Sequence, residues 1–177
     1  MRNTFFLNAF IAMVREAFNS SDPIPLHAPI FQGQERELVL DTIESTFVSS
    51  VGGYVDRFEE GLARYTGARY AIATSSGTAA LHTALTLVNV QQNDEVITTP
   101  LTWIITGNAI VECGATPVFV DINDDCNIDP DAIEMAITNK TKAIIPVHFT
   151  GLMCQMDRIC DIAKRNKIHV IEDAAQA

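Results

Sequence analysis

The sequence predicts an α/β domain built on a doubly wound, mainly parallel sheet. Short apolar runs at 70–74, 95–99, 117–122, 143–147 and 169–171 alternate with segments of helical spacing. Several of these runs are apolar throughout, as strands covered on both faces are. Residues able to do chemistry gather just after the runs, where open α/β sheets bind their ligands. A hydrophobic fraction of 47% over 177 residues supplies a core for such a fold.

Taken in order, the apolar stretch at 4–14 is too short to span a bilayer. It contains Asn8 and runs into Arg15 and Glu16 without a small-residue cleavage site. Phe6, Phe10, Met13, Val14 and Ala17 fall on one helical face, which predicts an amphipathic helix that docks on the body of the protein or on a partner subunit. The polar cluster and the two prolines Pro23 and Pro25 then form a linker, so 1–25 reads as an N-terminal helix and linker ahead of the main body at 26–177. From 34 to 47, Leu38, Val39, Ile43 and Phe47 recur at helical spacing above Glu35, Glu37, Asp41 and Glu44. A turn at 48–53 separates that helix from another over 54–65, which Gly67 stops. Beyond it, helices are expected near 78–88, 102–113, 130–138 and 155–166, between the five strands.

Twelve basic against twenty-two acidic residues give a net charge of -10, which argues against nucleic acid or an anionic membrane as partner. Cys113, Cys126, Cys154 and Cys160 form no Cys-x-x-Cys pair and show no zinc-type His spacing. They are expected to be free thiols in a reducing, cytoplasmic compartment, and no metal site is expected.

The strand ends carry the chemistry. After the first run, Ser75-Ser76-Gly77-Thr78-Ala79-Ala80-Leu81 reads as a polar turn opening a helix. It is either an ordinary serine cap or a seat for a phosphate on unpaired helix N–H groups. No Gly-Lys-Ser/Thr loop or Gly-x-Gly-x-x-Gly fingerprint is present. Trp103 follows the second run, as a core aromatic or as a surface on which an aromatic ring lies flat. Asp121 and His148, after the third and fourth runs, read as turn residues. Asp173 follows the fifth. It is a helix cap, or a carboxylate pushed into a poorly hydrated mouth where it needs a cationic partner such as a protonated pyridine nitrogen.

In combination, the segments at 75–81, 94–103 (Asp-Glu-Val-Ile-Thr-Thr-Pro-Leu-Thr-Trp), 108–110, 113–121 and 171–177 (Ile-Glu-Asp-Ala-Ala-Gln-Ala) resemble the DegT/DnrJ/StrS-type nucleotide-sugar aminotransferases, pyridoxal-phosphate enzymes of fold type I. The resemblance runs from about Pro25 to Ala177, with the motifs in the family's order. Ile24-Pro25-Leu26-His27 and the segment 45–52 look most like the branch that aminates 4-keto UDP-N-acetylhexosamines on the way to legionaminic acid or bacillosamine.

The resemblance implies pyridoxal 5'-phosphate as cofactor. Gly77 and Thr78, with Ser76 beside them, would hold its phosphate; Trp103 would stack on its ring; Asp173 would pair with the ring nitrogen and Gln176 would reach the ring hydroxyl. It also implies a nucleotide-sugar acceptor, an amino donor such as glutamate, and a homodimer in which Ser49 to Gly52 lie near a substrate.

The family's Schiff-base lysine follows the Glu-Asp-Ala-Ala-Gln-Ala motif, whereas Lys140, Lys142, Lys164 and Lys167 precede it. The expectation is therefore the N-terminal part of the large domain, carrying cofactor contacts but no catalytic residue and inactive by itself. The alternatives are a non-catalytic protein that binds cofactor or sugar nucleotide, and a sugar dehydratase of the same superfamily in which a His replaces the lysine.

Overall fold

The computed structural model describes residues 2–25 and 28–177, with residues 2–4 described by their backbone alone. Leu26 and His27, part of the motif that pointed to a substrate branch, lie outside the described residues. The chain divides into two compact units, Met1–Gly67 and Ala68–Ala177.

The first unit holds three helices, α1 (Arg2–Ala17), α2 (Glu35–Glu44) and α3 (Gly53–Thr66). Phe10, Ile11, Val14 and Arg15 of α1 line a shallow groove with Asp22, Pro23 and Ile24 of the following linker. Asp41 of α2 accepts a hydrogen bond from the Tyr54 hydroxyl of α3 at 2.6 Å. Gly67 ends α3 in the left-handed conformation, φ 72°, as a glycine stop does. No described residue of this unit is buried, and Phe5, Phe6, Phe10 and Met13 are all exposed.

The second unit is the expected sheet. Strands β1 (Glu95–Thr98), β2 (Thr116–Phe119), β3 (Thr141–Ile145) and β4 (His169–Val170) run parallel in the order β2-β1-β3-β4. Successive residues of the central strands point to opposite faces, so an apolar run feeds two cores. On one face Val96, Ala143 and Ile145 pack with Leu81 and Leu85 of α4 (Gly77–Leu87) and Ala109 and Ile110 of α5 (Ile105–Glu112). On the other, Ile97 and Ile144 pack with Ile133 of α6 (Pro130–Ala136) and Ile159 and Ile162 of α7 (Met156–Asn166). The chain leaves β1 for β2 on one side, then returns past β1 to β3. The switch point thus lies between the carboxyl ends of β1 and β3.

Residues 70–74 depart from expectation, since they join no ladder with the four described strands. Tyr70 is 73% and Ile72 75% exposed. An apolar run becomes a strand only where it pairs in register with a neighbouring strand, and 70–74 pairs so with none of the four described strands. Among the described residues, no helix is long and apolar enough to cross a membrane.

Candidate functional site

Beyond the carboxyl ends of the strands, a cleft of about 430 Å³ is lined by Ser76, Gly77, Thr78, Leu81, Trp103, Ile105, Thr106, Asp173, Ala175 and Gln176. Every site residue singled out in the sequence, Ser76, Gly77, Thr78, Trp103, Asp173 and Gln176, therefore lines one cavity, although three separate segments of chain supply them.

Part of the lining is the start of α4. Ser76 is extended, φ -166°, and its hydroxyl oxygen accepts from the Ala79 amide at 3.2 Å, while its carbonyl accepts from Ala80. The amides of Gly77 and Thr78 are left without an acceptor among the described residues. A Cβ added at Gly77 would meet nothing within 4 Å, so the space beside its Cα is open, and both residues line the cleft. Unpaired N–H groups at the positive end of an eleven-residue helix suit an anion. The Ser76 proton is still available to donate.

Trp103 stands just before α5 and is 71% exposed, so it is not the core aromatic that was one reading of it. Asp173, by contrast, is 8% exposed. Its backbone extends the β3/β4 pairing: its amide donates to Pro146 O at 2.9 Å, and its carbonyl accepts from the His148 amide at 3.1 Å. Its Oδ2 accepts from the Thr106 hydroxyl at 2.8 Å and its Oδ1 from the Ala175 amide at 3.2 Å. Among the described residues no Lys, Arg or His forms an ion pair with it. A nearly buried carboxylate held by two neutral donors and facing a cleft leaves a place for a cation.

Gln176 Oε1 accepts from the Thr150 amide at 2.7 Å, which leaves its Nε2 donor without an acceptor among the described residues. Thr150 is left-handed, φ 53°, in the tight turn Phe149–Gly151 after β3.

His148 behaves as a turn residue. It is 1% exposed; its Nδ1 accepts from the Cys154 amide at 3.2 Å, so the proton sits on Nε2 and is donated to Glu172 Oε2 at 2.9 Å. Asp121 likewise caps its own turn through Ile122 N at 2.8 Å.

Thr106, Thr102 and Thr150 were missed by the sequence reading. The signal available for Thr106 was a hydroxyl in the first turn of a largely apolar helix, three residues after Trp103, which by itself does not separate a functional threonine from a filler.

Known proteins similar to this chain include sugar aminotransferases. The chain is 46% identical over 156 residues to GDP-perosamine synthase of Caulobacter vibrioides, covering 87% of this chain and 42% of that protein. It is 42% identical over 159 residues to UDP-4-amino-4-deoxy-L-arabinose–oxoglutarate aminotransferase of Shewanella sediminis, covering 89% and 41%. Among solved structures, an aminotransferase from Psychrobacter cryohalolentis superposes with a TM-score of 0.82 at 39% identity, over 86% of this chain and 40% of that one. NtdA of Bacillus subtilis, solved with bound cofactor PMP (pyridoxamine phosphate), gives 0.76 at 38% identity over 89% and 39%. The chain thus spans about two fifths of the length of the relatives it matches. The family model matches residues 29–177, a span that takes in all the segments lining the cleft, and on that ground the chain belongs to the DegT/DnrJ/EryC1/StrS aminotransferase family.

Proposed function

We propose that the cleft holds pyridoxal 5'-phosphate or its amino form, and that the whole protein is a nucleotide-sugar aminotransferase. In this reading it moves an amino group from glutamate onto the keto carbon of a 4-keto UDP-N-acetylhexosamine, working as a homodimer. The observation that carries the cofactor assignment is that an almost buried carboxylate, Asp173, with no cation paired to it among the described residues, shares one cavity with the amides of Gly77 and Thr78, which have no acceptor among those residues. A phosphorylated pyridine supplies the anion for one end and the cation for the other. Relatives that use GDP- and UDP-linked sugars support the substrate class.

Each side chain then has one task. Gly77 and Thr78 donate their amides to the phosphate, and the Ser76 hydroxyl adds its proton. Trp103 covers one face of the ring and excludes water from it. Asp173 keeps a proton on the ring nitrogen, and Gln176 Nε2 donates to the ring oxygen. When bound, the cofactor supplies an electron sink for proton removal beside the transferred nitrogen. No lysine lines the cleft. The amine that would shuttle that proton is therefore not among the cleft-lining residues, and this chain is expected to bind cofactor reversibly without turnover.

The test is titration of the purified chain with pyridoxamine phosphate, read by the emission of Trp103, its single tryptophan. The reading predicts saturable quenching that inorganic phosphate competes away, and full removal of the ligand by dialysis. Emission that does not respond to the ligand would overturn it.

A further inference from the structure

We propose that Thr106 is a positioning residue that holds the Asp173 carboxylate in the orientation in which it receives a ring nitrogen, and that Thr102 in turn fixes Thr106. The inference rests on the cofactor reading above and adds to it two residues that act only through a third.

Thr106 lies in the first turn of α5 and is 1% exposed. Its Oγ1 is 2.8 Å from Asp173 Oδ2 and 3.1 Å from Thr102 Oγ1. A hydroxyl has one proton to give. An ionised carboxylate only accepts, so that proton goes to Asp173, and the Thr102 hydroxyl must be the donor to Thr106. The result is a one-way chain from Thr102 through Thr106 to Asp173.

With Ala175 N on the other oxygen, the carboxylate is held from both sides. A carboxylate turns freely about its last bond unless donors pin it, and here the pins come from two different elements, the start of α5 and the turn after β4. α5 also follows Trp103 directly, so one helix start sets both the ring-covering indole and the orientation of the acid. Both threonine hydroxyls are already used within the protein, which suits an orienting role better than a ligand contact.

The experiment compares two ligands by Trp103 emission: pyridoxamine phosphate, and its 1-deaza analogue, in which CH replaces the ring nitrogen. The wild-type chain is expected to prefer the first, and Asp173→Ala to lose that preference. Thr106→Val keeps the shape but not the hydroxyl. It is expected to weaken pyridoxamine phosphate binding by about tenfold, as loss of a charge-assisted hydrogen bond does, while leaving the deaza analogue within about twofold. Thr106→Ser is expected to restore the preference, and Thr106→Val to add nothing in the Asp173→Ala background.

Equal weakening of both ligands by Thr106→Val would mean a merely structural threonine and would overturn the inference. So would an unchanged preference in Thr106→Val when Asp173→Ala abolishes it, with the cofactor reading left standing. Absence of any preference in the wild-type chain would remove both.

Discussion

Gly151 adopts φ +86°, and a Cβ built there would sit 3.1 Å from the carbonyl oxygen of Gln176. Gly67 is also left-handed, at φ +72°, but a Cβ there meets nothing within 4 Å. Alanine at either position carries the backbone strain of about 1–2 kcal/mol; alanine at 151 must also push the segment that carries Gln176. Gly151→Ala should therefore lower stability in urea unfolding by more than Gly67→Ala, and it alone should weaken pyridoxamine phosphate binding.

Cys154 makes a second prediction at this scale. Its thiol donates to Val147 O at 3.2 Å, and burial, its main influence, raises its pKa from 9.0 to about 11. The folded chain keeps this proton longer than the unfolded chain does. The contribution is fully present below about pH 9 and is lost as pH rises toward about 11, where the unfolded state binds fewer protons. Urea midpoints should fall across that window in the wild type, and Cys154→Ala should remove this part of the fall.

At the scale of elements, α4 depends on its first residue. The Ser76 hydroxyl takes the Ala79 amide, and Ser76→Ala should cost about 1 kcal/mol of stability by thermal or urea unfolding. The same change removes one proton donor from the cleft, so pyridoxamine phosphate affinity should fall as well. An unchanged unfolding midpoint would show that the cap does not matter to this helix.

The strands that were legible in the sequence were those whose consecutive apolar residues serve two cores. Val96 and Ile97 face opposite sides, as do Ile144 and Ile145, and such a run has no good helical or one-sided alternative. The run at 70–74 is also mainly apolar yet stays outside the ladder. Strand formation depends on a partner edge that a single stretch of sequence does not contain.

For the molecule as a whole, the cleft was legible because doubly wound sheets concentrate ligand contacts at one rim. The turn at 75–78, Trp103 and Asp173 could be assigned to that rim from their places after apolar runs. The supporting contacts were not legible. Thr106 reaches Asp173 across 67 positions of sequence, and Thr150 reaches Gln176 across 26, distances over which local pattern carries no information.

The change of pattern after Gly67 coincides with the division into two units, but what the helices before it pack against was hidden for a related reason. Helices α2 and α3 carry a regular apolar spacing, but α2 and α3 bury no residue. Periodicity reports that a helix has an apolar face without reporting what covers it.

The most direct measurement is a crystal structure of the chain with pyridoxamine phosphate bound. The phosphate should rest on the amides of Gly77 and Thr78, the ring on the indole of Trp103, and the ring nitrogen within hydrogen-bond distance of Asp173. A ligand seated outside this cleft, or one whose ring nitrogen faces away from that carboxylate, would contradict the account.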